Sequence, residues 1–227
     1  MGTPELRPAW YALRPGGARD WLTLLHLPYT AWHLSYVALG AALASTFHGD
    51  RLVAALAAFF LALGVAAHAL DELNGRPLRT EIPTAGLVAA AVVGLGGAVA
   101  IGVAAAVAWG LGLLVFVAVG GVLVPAYNLE LFGGRLHNDW GFALAWGAFP
   151  ALTGYFVEAQ TLRFEAFAVA AYATALSFAQ RTLSTTAREA RRTRGSLDGA
   201  VSAERALQLM TVASVAVAVA AVAARLR

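Results

Sequence analysis

The sequence predicts an all-α integral membrane protein in which a single transmembrane domain, residues 1–227, forms a polytopic bundle of seven transmembrane helices. Hydrophobic residues make up 59% of the chain and charged residues only 13%, whereas about a quarter of the residues of a soluble domain are charged. Seven continuous apolar stretches each approach the roughly 20 residues that cross a bilayer as a helix. The arginines mark one side of these stretches, because 12 of the 16 fall in segments on that side.

Polar or glycine-containing breaks separate the apolar stretches and define the predicted helices. We place the helices at 21–47, 52–70, 84–106, 108–126, 139–157, 164–182 and 205–224. A short polar turn at 47–50 follows the first helix, and a connection with arginine and proline at 71–83 follows the second. Trp109 and Gly110 separate the third helix from the fourth, a glycine-rich connection follows the fourth, and residues 158–163 follow the fifth.

The arginine distribution also predicts orientation. Positively charged flanks stay on the cytoplasmic side during insertion, so we expect the N-terminal segment 1–20 in the cytoplasm, beneath a bacterial-type plasma membrane. The same rule makes 183–204 a cytoplasmic loop, with its most charged part, 188–198, solvated. Arginines that are spread along loops facing an anionic leaflet do not indicate nucleic-acid binding. The chain has no lysine, which excludes a Schiff-base retinal protein, and no cysteine, which excludes a thiolate metal site.

Ionisable side chains at membrane depth are the candidate functional residues, because such groups are costly in a bilayer. The predicted topology gathers a polar set at the cytoplasmic end of the bundle: His68, Asp71, Glu72, Asn128, Arg135, Asp139 and Arg181. Such a set binds a metal ion, an anionic headgroup or a diphosphate, and the alternative is that water solvates each residue at the interface. His26, His33 and His68 also have the ligand chemistry of a transition-metal site, unless they serve as hydrogen-bonding groups inside the bundle.

Three segments together resemble the UbiA superfamily of intramembrane prenyltransferases. Residues 67–71 read Ala-His-Ala-Leu-Asp, where the family has an Asn-Asp-x-x-Asp signature, so that Asp71 matches and Glu72 stands beside it. Arg-Thr at 79–80 and a Pro-x-x-Gly entry at 83–86 follow. The Tyr-Asn pair at 127–128 and the Gly-Gly-Arg at 133–135 are similar to the fourth helix and basic loop of naphthoquinone-type members. The end of the sixth helix lacks the aspartates of the family's second signature, and the family normally has nine helices.

The resemblance implies prenyl transfer from an isoprenoid diphosphate and assigns roles to residues of this chain. It implies that Asp71 and Glu72 bind Mg²⁺ and that His68, Asp71 and Asp139 form the catalytic set. Substrate contacts are implied for Arg76, Arg79, Tyr127, Asn128, Arg135 and Arg181. Mg²⁺ binds carboxylate and phosphate oxygens, and arginine stabilises the charge of a leaving group. Arginines after the sixth helix, Arg188, Arg191 and Arg192, offer anion binding without a metal.

Two functions follow from these observations. The first is a membrane enzyme that acts on an isoprenoid diphosphate or a quinone-like lipid at the cytoplasmic mouth of the bundle. The alternative is a non-catalytic subunit that keeps a UbiA-like fold to bind a lipid, quinone or pigment, together with a partner in a membrane complex. The absence of the second aspartate signature favours the alternative.

Overall fold

A computed structural model of the chain describes residues 8–193 and 197–227, and the side chains of 192–198 are not described. The described residues are helical and contain no strand. The helices are α1 (Ala18–Leu24), α2 (Leu27–Leu43), α3 (Gly49–Phe59), α4 (His68–Leu73), α5 (Thr84–Trp109), α6 (Leu113–Asn128), α7 (Asp139–Ala143), α8 (Phe149–Ala159), α9 (Phe164–Thr193) and α10 (Leu197–Arg225). Two π-helical segments, Phe60–Ala67 and Leu144–Ala148, join α3 to α4 and α7 to α8 without a break.

Three helices are long and apolar enough to cross a membrane, which identifies the chain as a membrane protein. They are Gly49–Leu73, Thr84–Trp109 and the part of α10 from Gly199 to Arg225, and α6 is a shorter apolar helix. Apolar side chains on these helices face outward: Val107 is 76% exposed and Val219 is 63% exposed. The count of seven spans, the UbiA-like fold and the cytoplasmic position of the N-terminus stay predictions.

The first predicted helix is two helices in the structure. α1 ends at Leu24, α2 begins at Leu27, and His26 between them has a left-handed backbone with φ of 44°. The reason is Pro28 in the first turn of α2, because proline lacks an N–H and is tolerated in a helix only near its start. The single helix predicted at 21–47 is therefore wrong at this point, and the break places the His26 ring at the end of the bundle.

The prediction of a loop over 183–204 is also wrong for most of its length. α9 continues to Thr193 and α10 begins at Leu197, while residues 194–196 lie outside the described part of the chain. The Arg191 guanidinium makes two hydrogen bonds to the Glu204 carboxylate, at 2.6 and 2.8 Å. This ion pair joins α9 to α10 and neutralises two charges that the sequence alone suggested were solvated. Ala187 of α9 is also buried.

Helix α2 lies in the middle of the bundle and packs against α8, α9 and α10. Its Trp32, Tyr36 and Leu39 form a buried core with Ala151 of α8 and Leu207 of α10. The backbones of α2 and α8 come very close where glycine occurs on each helix. A Cβ atom on Gly154 would lie 2.9 Å from the carbonyl carbon of Val37, and one on Gly40 would lie 2.9 Å from the amide nitrogen of Tyr155. Small residues allow this kind of approach between membrane helices.

Candidate functional site

An apolar chamber lies between the helix Gly49–Leu73, α5, α6 and α8. Its wall includes the aromatic rings of Phe59, Trp109, Phe116, Trp146 and Phe149, with alanine, valine, leucine and glycine between them. Thr153 contributes the one hydroxyl group, and no charged side chain lines the chamber among the residues that the structure describes. The chamber is therefore suited to an apolar chain and not to a charged headgroup.

A second hollow, a polar cleft, lies at one end of the bundle, beside the end of α4 and the second half of α9. Its lining comes from the N-terminal segment, α2, α4, the connection after α4, α9 and α10: Pro8, Ala9, Trp10, Tyr11, His26, Tyr29, Asp71, Pro77, Leu78, Ser184, Ala187, Arg188, Arg191, Glu204 and Leu207. The described residues of this cleft and of the chamber do not overlap. The molecule thus offers an apolar volume and a separate polar one.

Asp71 is the predicted site residue that lines the cleft. Its carboxylate has no hydrogen bond or ion pair with any described residue, and it is partly buried. The basic side chains that act on it electrostatically are those of His137, Arg188 and Arg181. Asp71 therefore faces several basic side chains from other elements without being neutralised by direct contact with one of them.

Beside Asp71, Arg181 joins three of the elements that the sequence predicted to meet. Its Nε donates to the Asp139 carboxylate at 3.0 Å, and its Nη1 donates to the Tyr127 hydroxyl at 3.0 Å. The Tyr127 ring stacks on His137 with centroids 4.7 Å apart. The end of α6, the middle of α9 and the start of α7 thus come together, and this brings the predicted pair Asp139 and Arg181 into contact.

Glu72, the other predicted metal ligand, accepts hydrogen bonds from the connection that follows α4. Its carboxylate is fully buried and accepts hydrogen bonds from the backbone N–H of Leu78 at 2.9 Å and from both the N–H and hydroxyl of Thr80 at 2.8 Å. Both oxygens are therefore occupied, so this geometry counts against Glu72 as a Mg²⁺ ligand beside Asp71. The described residues contain no group of three His, Asp or Glu side chains arranged to hold a metal ion.

Arg76 and Asn128 also bind backbone groups instead of opening toward a ligand. Arg76 donates to the carbonyl oxygens of Thr80 at 3.1 Å and Ile82 at 2.6 Å, which fixes the turn into α5. Asn128 is buried and donates to the Val124 carbonyl at 2.7 Å within α6. Both side chains thus donate their hydrogen bonds to backbone carbonyl oxygens of the protein.

Arg79 and Arg135 lie on exposed parts of the connections, and neither lines the chamber or the cleft. Arg79 has a left-handed backbone with φ of 54°. The backbone carbonyl of Arg135 accepts a hydrogen bond from the Asn138 side chain at 2.7 Å. The structure therefore does not bring these two arginines to the cleft beside Asp71.

The three histidines weighed as metal ligands make other contacts. His33 is buried, and its Nδ1 lies 2.8 Å from the Trp146 carbonyl oxygen. His68 stacks on His26 with ring centroids 3.9 Å apart and planes at 18°, and its Nδ1 lies 3.2 Å from the Gly64 carbonyl oxygen. Stacked rings direct their nitrogens alongside one another and not at a shared centre, so this pair lacks the geometry of a metal site.

Sequence reasoning missed the part played by Tyr11. Its hydroxyl lies 3.1 Å from Nδ1 of His26, and its ring meets Trp10 and Tyr29 edge to face. Burial raises the pKa of the Tyr11 hydroxyl well above its usual value. The aromatic pair Trp10-Tyr11 in an otherwise polar N-terminal segment was the available signal, since aromatic residues near a membrane surface often pack onto a bundle end.

No protein-family model matches the chain, and no curated protein or solved structure matches it.

Proposed function

We propose that this chain is an integral membrane protein that holds the apolar chain of an isoprenoid or quinone-like lipid inside the chamber. The observation that supports the proposal most directly is the chamber wall, which is apolar and aromatic and carries no charged side chain among the described residues. Small-molecule sites have mainly hydrophobic and aromatic walls.

Lipid binding without chemistry is the function that the geometry favours. Prenyl transfer with Mg²⁺ would need several carboxylate oxygens next to the diphosphate. Asp71 supplies one carboxylate, the oxygens of Glu72 are bonded to Leu78 and Thr80, and the end of the sixth predicted helix offers no further aspartate. The donor set therefore does not fit a Mg²⁺ diphosphate cage.

Prenyl transfer remains a second candidate because of one observation, the convergence of Asp71, Arg181 and Arg188 at the same end of the bundle. Arginines bind phosphate oxygens through charge-assisted hydrogen bonds, so these two residues would contact a diphosphate without a metal. In that reaction Arg181 would stabilise the leaving diphosphate, while the aromatic chamber would exclude water from an allylic cation. Arg192, which the sequence added to this basic set, lies outside the described side chains.

Filling the chamber tests the proposed function. Ala98 lines the chamber on α5, so Ala98→Phe places a ring inside it, whereas Val107→Phe adds the same ring type to the outward face of that helix. We expect wild type and Val107→Phe to retain a bound lipid after purification, measured by mass spectrometry of an organic extract. We expect Ala98→Phe to retain much less, because the ring occupies the space of the apolar chain.

Two outcomes would contradict the proposal. Equal lipid retention by Ala98→Phe and Val107→Phe would show that the lipid lies elsewhere. Formation of a prenylated product from a polyprenyl diphosphate, lost in Asp71→Asn, would establish the transferase and reject binding without chemistry. The thermal unfolding temperature of each variant, measured alongside, separates lost binding from lost folding.

A further inference from the structure

We propose that the cleft between Tyr11, Asp71 and Arg188 binds the zwitterionic headgroup of a phospholipid, with its ammonium at Asp71 and its phosphate at Arg188. The binding unit is an ammonium and a phosphate diester a few bonds apart, as in an ethanolamine phospholipid. This site is separate from the chamber, and the inference does not depend on what the chamber holds.

The charges of the cleft are the first argument. Asp71 and Arg188 both line it, yet no ion pair joins them, and the Asp71 carboxylate makes no hydrogen bond or ion pair with any described residue. Arg188 makes a single described side-chain bond, to the Thr185 hydroxyl at 3.3 Å. The other charged pair, Arg191 and Glu204, is already matched within itself. One negative and one positive group therefore face the same volume, and a ligand carrying both signs neutralises both.

The aromatic wall is the second argument. Trp10, Tyr11 and Tyr29 line the side of the cleft formed by the N-terminal segment and α2, and their rings pack edge to face at 5.4–5.5 Å. Aromatic rings attract ammonium groups electrostatically, and this attraction increases where water is excluded. Such a wall, next to a carboxylate, is suited to an ammonium and gives no advantage to a second phosphate.

Position is the third argument. Asp71 lies two residues before the end of the membrane-spanning helix Gly49–Leu73, which is the depth at which headgroups meet the apolar core. His26 also lines the cleft, and its Nε2 is buried without a described hydrogen-bond partner. A phospholipid headgroup entering from the bilayer surface brings ester and phosphate oxygens to this nitrogen as well as charge to Asp71 and Arg188.

Native mass spectrometry of the purified full chain tests the inference, with ethanolamine and glycerol phospholipids of identical acyl chains as probes. We expect wild type to bind the ethanolamine lipid about tenfold more tightly than the glycerol lipid, because a charge-assisted contact is of that order. Asp71→Asn should abolish this preference by weakening the ethanolamine lipid alone. Arg188→Gln should weaken both lipids, since both carry the phosphate.

Matched controls at the opposite end of the bundle remove the same charges. Asp50→Asn and Arg163→Gln change exposed residues remote from the cleft and should leave both affinities unchanged. Water-soluble glycerophosphoethanolamine distinguishes a lipid from a free phosphodiester: competition by it at equal concentration would identify a soluble ligand of the same chemistry as the occupant, and the lipid assignment would be overturned.

Three further results would overturn the inference. The first is a wild-type preference for the glycerol lipid, and the second is an equal loss of both lipids in Asp71→Asn. The third is displacement of the ethanolamine lipid by inorganic pyrophosphate, which would make the cleft an anion site and support the transferase candidate instead. Unfolding temperatures of Asp71→Asn and Arg188→Gln, together with retained binding of the second lipid by Asp71→Asn, show that these variants are folded.

Discussion

Replacing Gly154 by alanine should separate α2 from α8 and destabilise the centre of the bundle. The added Cβ would lie 2.9 Å from the Val37 carbonyl carbon and 3.0 Å from its Cα, whereas carbon atoms pack at about 3.5–4.0 Å. The atoms it meets belong to backbone, so a side-chain rotation does not relieve the contact. The Val37 carbonyl oxygen is closer still, so the helices must move apart by more than this difference, and overpacking of this kind costs about 1–3 kcal/mol.

A glycine in open space provides the control for the intrinsic effect of alanine on a helix. A Cβ on Gly96 of α5 would have no atom within 4 Å, so Gly96→Ala should gain about 0.5–1 kcal/mol from the lower backbone entropy of the unfolded chain. Gly154→Ala gains the same entropic stabilisation, but the close contact with the Val37 backbone destabilises it in addition. The difference between the two variants therefore isolates the contact between α2 and α8.

Thermal unfolding in detergent, followed by tryptophan fluorescence at one scan rate, measures this difference. A change of 1 kcal/mol shifts the unfolding temperature of a chain of this length by about 2–4 °C, so Gly154→Ala should melt about 2–12 °C below Gly96→Ala. A common scan rate is needed because unfolding of such proteins is often irreversible. If the two variants melt together, the close approach of α2 and α8 is wrong.

Two carboxylates that the structure assigns to internal contacts give further predictions. Glu72→Gln should lower the unfolding temperature and speed proteolysis of the connection after α4. The buried acceptor of the Leu78 and Thr80 hydrogen bonds loses its charge, which costs about 1.5–3 kcal/mol. Unchanged proteolysis would make Glu72 a candidate metal ligand again. Glu204→Gln should lower the unfolding temperature by a similar amount, because the nearly buried guanidinium of Arg191 loses its bidentate partner, and an unchanged melting curve would reject the contact between α9 and α10.

The apolar stretches predicted helices well, because backbone that is buried in lipid must form its hydrogen bonds within a helix. α5 begins at Thr84 as predicted, and its end at Trp109 precedes Gly110, whose φ of 154° suits glycine. The error at the first helix came from weighting the apolar run above the proline within it, although Pro28 was visible in the sequence. A continuous apolar run indicates that a segment is buried, whereas a proline indicates where a helix can begin.

The charged segment after the sixth predicted helix was misassigned for a different reason. Its charges were interpreted one at a time as solvated groups, but Arg191 and Glu204 satisfy each other across two helices. The residues of this pair are 13 positions apart on separate helices, and the repeat of apolar residues along one helix does not show which side chains meet across two helices. The same limit hid the contact between Tyr11 and His26, which are brought together by the turn before α2.

The candidate site was predictable as a region and only partly as a set of residues. Asp71, Tyr127, Asp139 and Arg181 do gather in one region of the bundle. Glu72, by contrast, is used to hold a connecting segment. A buried connection must satisfy its own backbone donors before it can present side chains to a ligand, and sequence patterns do not reveal which polar residues are used in this way.

The π-helical segment Phe60–Ala67 fixes the rotational phase between two halves of one long helix. Before it and within it, Phe59 and Leu63 line the chamber, and after it Asp71 lines the cleft. A residue in a π-helical segment advances the side-chain direction by less than the roughly 100° of an α-helical residue, so winding Phe60–Ala67 as an α-helix of the same length would turn His68 and Asp71 away from their present neighbours. The wider turn thus lets one continuous helix present residues to the apolar chamber in its first half and to the polar cleft at its end.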